Sequence, residues 1–253
     1  MDLQLRDVVV VVTGGASGIG QACARAFRQE GALVAVWDLA PGADYIVDVS
    51  DFEAVQDATA ASEAALGPVA HVVHSAAIGS GKFGFPFTNL TPADWKRVLE
   101  VNILGTVHIA HAIAPGMIAR RFGTITLLGS IAGQIGSQTD PPYSASKAAN
   151  FNFAQCLAKD LAPHNIRVNT VNPGMVKTPL SQRIWQAWAI EQTPETMLSF
   201  EAWFARKVAA AAPLGRPQTP EDIANMVVFL ASCRASQITG QIFNVDGGQV
   251  MGW

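Results

Sequence analysis

The sequence predicts an α/β fold built as a single domain, and three observations support this prediction. The chain of 253 residues has a length at which one hydrophobic core still forms one domain. Hydrophobic residues make up 49% of the chain, which is enough apolar material for such a core. Short apolar runs typical of buried strands alternate with longer helical segments, and a glycine cluster directly follows the first run.

The composition argues against several functional classes. Charged residues make up only 15% of the chain, which favours large subunit interfaces. A net charge of −3 without any basic run argues against nucleic-acid binding. Three scattered cysteines fit a reducing cytosol, so we expect a cytoplasmic protein. No signal-peptide pattern follows Met1, and no uninterrupted apolar run is long enough for a membrane span, so we expect no membrane association.

A phosphate-binding turn is predicted near the amino terminus. Residues 8–12 form a β-branched run, and residues 19–30 have the pattern of a helix that Gly31 ends. Between them lies Thr13-Gly-Gly-Ala-Ser-Gly-Ile-Gly20. Glycines let a backbone approach a pyrophosphate closely, and a helix N-terminus offers free N–H groups and a positive dipole end. The segment is therefore predicted to bind a dinucleotide.

An acidic residue at the end of the second strand predicts which dinucleotide binds. The run 32–37 ends in Asp38, eighteen residues after Gly20, where a carboxylate can bond the adenosine ribose hydroxyls of NAD. The same charge would repel the 2′-phosphate of NADP, and Leu39 stands where an NADP site often has arginine. We therefore expect NAD as the cofactor. The alternative is that Asp38 only caps a loop.

The following segment predicts an irregular connection. Only nine residues separate Asp38 from Asp48, fewer than a helical crossover between parallel strands needs. Residues 45–48 are thus expected to form a short strand reached by a bare loop. Ser50 or Asp51 then caps a helix to about Leu66, and Thr91 caps a later helix with Pro92 in its first turn. The remaining strands are predicted at 69–73, 124–128, 165–171 and 241–245.

A tyrosine and a lysine four residues apart are the main candidate for catalysis. In a helix from about residue 143, Tyr143 and Lys147 lie on one face. A lysine ammonium favours phenolate and is expected to lower the tyrosine pKa, so that the phenol can exchange a proton with a substrate. Ser130 follows the run 124–128, where its hydroxyl could bond the same substrate oxygen. Such tyrosine–lysine pairs are also common without any catalytic role.

Together, Thr13-Gly-x-x-x-Gly18-x-Gly20 and Tyr143-x-x-x-Lys147 resemble the short-chain dehydrogenase/reductase family over essentially the whole chain. The resemblance implies one Rossmann-like domain with a doubly wound, parallel, seven-stranded sheet flanked by helices. It implies hydride transfer between NAD(P) and a secondary alcohol or ketone. Its catalytic residues would be Ser130, Tyr143, Lys147 and Asn102, whose backbone would hold a water at a helix kink. Its implied cofactor contacts are Gly14, Ser17, Gly18, Ile19, Gly20, Asp38, Leu39, Asp48, Val49, Ser75, Ala76, Ala77, Tyr143, Lys147, Pro173, Gly174, Val176 and Thr178.

Two further features follow from the resemblance. His74-Ser-Ala-Ala77 replaces the family's Asn-Asn-Ala-Gly, so the usual asparagine side-chain bond is expected to be missing. Residues 178–212, with three of the six tryptophans, correspond to the family's substrate lid. Their alternative role is a pair of helices packed on the body or on another subunit. An aromatic lid favours an apolar or bulky substrate, and no polar triad in it indicates a sugar, acid or steroid.

The family is commonly tetrameric, and the apolar tail 250–253 is compatible with a homotetramer. Two other readings of the function remain open. The protein could bind the cofactor without catalysis, as a sensor or scaffold, or could be an epimerase or lyase that uses bound NAD. No metal site is expected, because His71 and His74 point to opposite strand faces and His108 and His111 lack a third ligand.

Overall fold

The chain folds around one seven-stranded parallel sheet in a computed structural model that describes residues 2–251. The strand order is β3-β2-β1-β4-β5-β6-β7. The order reverses between β1 and β4, so the connections diverge there and leave a crevice at the carboxyl ends of the strands. This confirms the predicted fold class. The strands are β1 Val9–Thr13, β2 Leu33–Asp38, β3 Tyr45–Ile46, β4 Val69–His74, β5 Gly123–Leu128, β6 Ile166–Pro173 and β7 Ile242–Val245.

Helices cover both faces of the sheet. Alternate side chains of β1 show this division, since Val10 and Val12 pack in one apolar cluster with α1 and α9, whereas Val9 and Val11 pack in the other with α2, α4 and α6. Every residue of β1 is buried, as the apolar run predicts. The helices are α1 Gly18–Gln29, α2 Phe52–Leu66, α3 Ala93–Leu99, α4 Gly105–Arg120, α5 Ala132–Ile135, α6 Pro141–Leu161, α7 Pro179–Ile190, α8 Phe200–Ala211 and α9 Pro220–Ala231.

The connection between β2 and β3 contains no helix, as its length predicts. The strand itself is shorter than the expected segment 45–48, because only Tyr45 and Ile46 pair with β2. Beyond them, the Asp48 carboxylate accepts the N–H and the hydroxyl of Ser50 and turns the chain toward α2. The side chain of Asp51 then caps α2 by accepting the N–H groups of its first turn.

The helix after residue 91 differs from the prediction at its start. It begins at Ala93, and the Thr91 side chain does not cap it. Instead, the Asp94 carboxylate accepts both the N–H and the hydroxyl of Thr91, at 2.7 and 2.9 Å. Asp94 thus bonds back to Thr91, but no side chain accepts an N–H group of the first turn. The prediction of a threonine cap is wrong at this helix.

A π-helical turn, Glu100–Leu104, joins α3 to α4. Such turns widen the helix by one residue and often occur at functional sites. By length and hydropathy alone, the combined helix Ala93–Arg120 could cross a membrane. Half of its most apolar stretch is buried inside the protein, as in a helix that packs on a sheet.

The helices α7 and α8 pack on each other through aromatic side chains. Trp203, Phe204 and Val208 form a small buried cluster that is separate from the two clusters flanking the sheet. Trp188 and Phe200 contact Trp203, with ring centroids 6.2 and 6.3 Å apart. The tryptophan-rich segment thus has a core of its own beside the crevice.

Candidate active site

A cavity of about 930 Å³ opens along the carboxyl ends of the strands. The structure brings nearly all predicted site residues to its wall, although they come from seven separate parts of the chain. Gly20 and Asn102 do not line it and act from behind the wall. The predicted residues that line it are Gly14, Ser17, Gly18, Ile19, Asp38, Leu39, Asp48, Val49, Ser75, Ala76, Ala77, Ser130, Tyr143, Lys147, Pro173, Gly174, Val176 and Thr178.

The glycine-rich turn brings backbone segments into very close contact. Gly14 has a φ of +63°, and a Cβ there would lie 2.8 Å from the backbone of Ala76. A Cβ on Gly20 would lie 2.2 Å from the carbonyl oxygen of Gly14. Ser17 precedes α1 without a side-chain capping bond, so the first N–H groups of this helix face the cavity uncapped. The turn therefore fits the pyrophosphate of a dinucleotide.

Asp38 occupies the end of β2 and faces the same cavity. One of its carboxylate oxygens accepts the N–H of Ala16 at 3.0 Å, and the other accepts the N–H of Ala40 at 3.0 Å. These bonds fix the carboxylate next to the glycine-rich turn and leave further acceptor capacity on both oxygens. Asp38 does help to hold a loop, but it does so while lining the cavity.

The part of the cavity wall beyond β3 carries an ion pair. The Arg97 guanidinium donates to the Asp48 carboxylate at 2.7 Å and to the Ser50 hydroxyl at 2.6 Å. Burial opposes ionisation of Asp48, but the hydrogen bonds from Ser50 and Arg97 prevail and lower its pKa. Sequence reasoning missed Arg97, because nothing in the local pattern links it to Asp48.

The catalytic candidates meet at the centre of the cavity. Tyr143 and Lys147 both belong to α6, and the Lys147 Nζ lies 5.5 Å from the centre of the tyrosine ring. Lys147 is buried and donates to the carbonyl oxygen of Leu128 at 2.7 Å. Ser130 follows β5 and faces the same cavity. Asp140 caps α6 and accepts the N–H of Ser80 at 2.8 Å.

The pKa of Tyr143 differs from the expectation. Burial raises it to about 12, the nearby Ser130 hydroxyl opposes the shift, and the charge of Asp140 adds to it. Burial also lowers the pKa of Lys147 to about 8, because it disfavours the charged ammonium. The expectation of a lowered tyrosine pKa is therefore wrong, because burial sets the direction of the net shift. The sequence could not show that burial exceeds the effect of the lysine charge.

Asn102 sits in the π-helical turn and holds the cavity wall from behind. Its side chain donates to and accepts from the backbone of Ile78, both at 2.9 Å. Its backbone carbonyl accepts the Asn150 side-chain amide at 2.8 Å and the Thr106 hydroxyl at 2.9 Å. Two side chains thus use both lone pairs of the carbonyl that was expected to hold a water. The sequence analysis did not identify Asn150, because its hydrogen-bond partner Asn102 lies 48 residues away in the chain.

The His74 side chain makes a hydrogen bond of its own, although the family's asparagine side chain is missing at this turn. Its Nδ1 lies 2.8 Å from the Thr13 hydroxyl, which in turn accepts the N–H groups of Ser75 and Ala76 at 3.2 Å. The imidazole therefore positions the backbone that faces the glycine-rich turn. Burial lowers its pKa to about 3, and the charge of Lys147 contributes, so the ring is neutral. Within residues 2–251, no group of three or more potential metal ligands forms.

Two cations on the lid side complete the lining. Arg183 of α7 and Lys207 of α8 face the cavity. On α8 the lining residues recur at helical spacing, which places them on one face: Trp203, Lys207, Ala210 and Ala211. The sequence analysis did not identify either cation as a site residue. For Lys207, its helical spacing from Trp203 could have indicated that both face the cavity.

Comparisons with known proteins agree with this geometry. A family described as enoyl-(acyl carrier protein) reductase matches residues 14–249. The chain is 32% identical to a 3-oxoacyl-(acyl-carrier-protein) reductase of Thermotoga maritima, over 98% of this chain and 100% of the relative. It is 36% identical to a galactitol 2-dehydrogenase of Rhizobium johnstonii, over 94% and 93%.

A solved structure supports the same conclusion. The ligand-free aldohexose dehydrogenase of Thermoplasma acidophilum superimposes with a TM-score of 0.87 at 29% identity, over 98% of this chain and 96% of that one. The matches extend over nearly the whole chain. The chain therefore belongs to the short-chain dehydrogenase/reductase family, whose oxidoreductases transfer a hydride between a nicotinamide cofactor and an alcohol or ketone.

Proposed function

We propose that this protein is an NAD-dependent alcohol dehydrogenase or ketone reductase that uses Tyr143 as its general acid and base. The observation that supports this most is that Ser130, Tyr143 and Lys147 line the same cavity as the uncapped N-terminus of α1. When bound, the nicotinamide supplies the hydride acceptor or donor. This arrangement favours catalysis over a sensor or scaffold, since mere binding has no need of a phenol and an ammonium beside the substrate space.

The protein's own groups then provide proton transfer and positioning. Tyr143 exchanges a proton with the substrate oxygen, and the Ser130 hydroxyl orients that oxygen. Lys147 places a positive charge 5.5 Å from the ring centre and thereby stabilises phenolate as it forms. Asn102 keeps the wall at Ile78 in place through two hydrogen bonds. Because burial raises the Tyr143 pKa to about 12, the phenol is protonated at neutral pH and has a proton to give in reduction.

The preference for NAD over NADP rests on Asp38. Its carboxylate is held beside the glycine-rich turn by two backbone N–H groups. A 2′-phosphate on the adenosine ribose would bring two negative charges together there. Leu39 and Ala40, the next residues along the cavity wall, offer no positive charge to compensate. NAD, with two free ribose hydroxyls, fits the same carboxylate.

The segment 178–212 is proposed to act as the substrate lid of a single domain. Ile184 and Trp203 line the cavity and provide an apolar wall opposite Ile135. Such a wall excludes water and favours the bulky or apolar part of a small-molecule alcohol or ketone. The relatives differ in substrate, since they include a sugar-alcohol dehydrogenase and a 3-oxoacyl-(acyl-carrier-protein) reductase. The substrate class is therefore inferred from the cavity and not from the relatives.

The assembly and location complete the proposal. We propose a homotetramer in the cytoplasm, supported by the low share of charged residues and by three cysteines that form no disulfide. Within the tail 250–253 that supported this prediction, residues 252 and 253 lie outside the described part of the chain. Binding of nucleic acid or membranes is not proposed. Sedimentation of the purified protein tests the tetramer, and a monomer at micromolar concentration would refute it.

The function is tested by measuring NADH oxidation with a panel of ketones, diketones and keto-sugars, from small and polar to bulky and aromatic. NADPH is measured in parallel. We expect turnover of bulky members with NADH and little with NADPH. Binding of NADH without turnover of any ketone, in either direction, would contradict the proposal and favour a sensor or an epimerase. An epimerase would convert its substrate without net consumption of NADH.

A further inference from the structure

The end of the cavity away from Asp38 carries positive charge without a partner. Of the cations that line the cavity, Arg97 pairs with Asp48 and Lys147 donates to Leu128. Within residues 2–251, Lys207 has no carboxylate within salt-bridge distance and no hydrogen-bond partner. A nearby lysine shows the contrast, because Lys177 lies 2.6 Å from the carboxylate of Glu201. Lys177 is thus paired outside the cavity, whereas Lys207 lines the cavity with an exposed side chain that has no carboxylate partner in this part of the chain. Within the described residues, Arg183 lacks such a partner as well.

The position of Lys207 separates it from the predicted cofactor phosphates. The segment after α8 is bonded to the segment after β7, since the N–H of Leu214 donates to Gly247 at 3.1 Å. The loop after α8 is thus tied to the β7 edge of the sheet, whereas Asp38 ends β2 near the other edge. Gln249, which follows β7, lines the same end of the cavity. Lys207 therefore faces the space for a substrate.

Arg183 is placed differently and is not assigned to the substrate. It lies little more than one turn from the start of α7, and that start contacts the glycine-rich turn. A Cβ on Gly18 would lie 3.5 Å from the Thr178 side chain. The guanidinium therefore adds positive potential near the phosphate-binding turn, whereas Lys207 stands alone at the far end.

The surroundings of Lys207 favour an anion over a neutral group. Its Nζ lies 5.7 Å from the centre of the Trp203 ring, so the side chain extends along an apolar wall. Partial burial and the charge of Arg206 lower its pKa. Two carboxylates near this end are already bonded: Asp140 by Ser80 and Asp246 by the N–H groups of Gly248 and Val250. None of them neutralises Lys207.

We propose that the substrate is an alcohol or ketone that carries an oxyanion, such as a carboxylate, and that Lys207 binds this group while Tyr143 and Ser130 bind the reacting oxygen. This inference rests on the proposed function, because it takes the cavity as the substrate site. It goes beyond the sequence analysis, in which no polar triad of the lid indicated a sugar, acid or steroid. The aromatic wall then contacts the apolar part of the substrate between its two polar ends.

The test compares two ligands of similar shape that differ in charge. Benzoate and benzamide are titrated calorimetrically into the protein, with and without saturating NADH. We expect benzoate to bind at least about tenfold more tightly than benzamide. Lys207→Gln should remove this difference, whereas Arg206→Gln, which removes the adjacent cation outside the cavity, should keep most of it. Higher salt should weaken benzoate binding more than benzamide binding.

Other outcomes would overturn the proposal. Equal affinity of the native protein for benzoate and benzamide would overturn it. An equal decrease in the affinities for both ligands in Lys207→Gln would also overturn it. Weaker NADH binding in Lys207→Gln, with unchanged benzoate affinity, would assign the cation to the cofactor. Charge-selective benzoate binding together with a silent ketone panel would refute the proposed function alone, so the two failures are distinguishable.

Discussion

Two buried histidines should make this protein sensitive to mild acid. His71 and His74 lie in β4, and each Nδ1 is 2.8 Å from a threonine hydroxyl, that of Thr124 or Thr13. Burial lowers both pKa values from 6.5 to about 3; the charge of Arg167 adds to this shift for His71, and that of Lys147 for His74. The unfolded chain therefore binds two protons, at a pH below 6.5, that the folded chain does not bind.

The magnitude follows from this difference in proton binding. For one histidine with a pKa of 6.5 in the unfolded chain and about 3 in the folded chain, the free energy of unfolding falls by about 2 kcal/mol between about pH 7 and pH 5. The pair should therefore lower the free energy of unfolding by about 4 kcal/mol over this range. Stability is fully present above the unfolded pKa and decreases as the pH falls toward the folded pKa. Lys147, with a pKa of about 8, stays protonated in both states over this interval.

Urea unfolding at a series of pH values, at fixed protein concentration, measures this loss. His74→Asn retains a side chain that can bond the Thr13 hydroxyl, and it should reduce the loss by about half. His111→Asn, which replaces an exposed histidine on α4, is the matched control and should leave the pH dependence unchanged. A wild-type free energy of unfolding that stays constant from pH 7 to pH 5 would refute the reasoning.

Two predictions concern the cofactor. Gly20→Ala places a Cβ 2.2 Å from the Gly14 carbonyl, so it should destabilise the protein by about 2 kcal/mol and weaken NADH binding at least about tenfold. Urea unfolding measures the change in stability, and calorimetry measures the change in NADH affinity. Gly116→Ala on α4 is the control. Unchanged NADH affinity in Gly20→Ala would contradict the close contact at the turn. Asp38→Ala should narrow the gap between NADH and NADPH in kcat/KM, and an unchanged ratio would count against the role of this carboxylate.

The parts of the fold that the sequence predicted depend on local chemistry. The β-branched run of β1 is buried throughout, and the glycine-rich turn follows it as expected. The spacing of Tyr143 and Lys147 placed both residues on one helix. The short connection between Asp38 and Asp48 correctly excluded a helix, because chain length alone limits what can be built there.

The parts that were missed depend on contacts between distant segments. The Thr91 hydroxyl donates to Asp94 and does not cap the helix. Asn150 bonds the carbonyl of Asn102 across 48 residues, and no local pattern shows such a contact. The pKa of Tyr143 depends on its burial, which only the folded cavity determines. The lack of a carboxylate partner for Lys207 within residues 2–251 is likewise visible only in the folded chain.

The most direct test of the account is turnover by Tyr143→Phe, with NADH binding measured separately. The chain contains one other tyrosine, so Tyr45→Phe, which removes a hydroxyl 3.4 Å from the Ala61 carbonyl, is the matched control. Loss of the general acid should reduce turnover of any active ketone by at least about 100-fold while NADH binds as before. Turnover by Tyr143→Phe equal to that of Tyr45→Phe would contradict the assignment of Tyr143 as the proton donor.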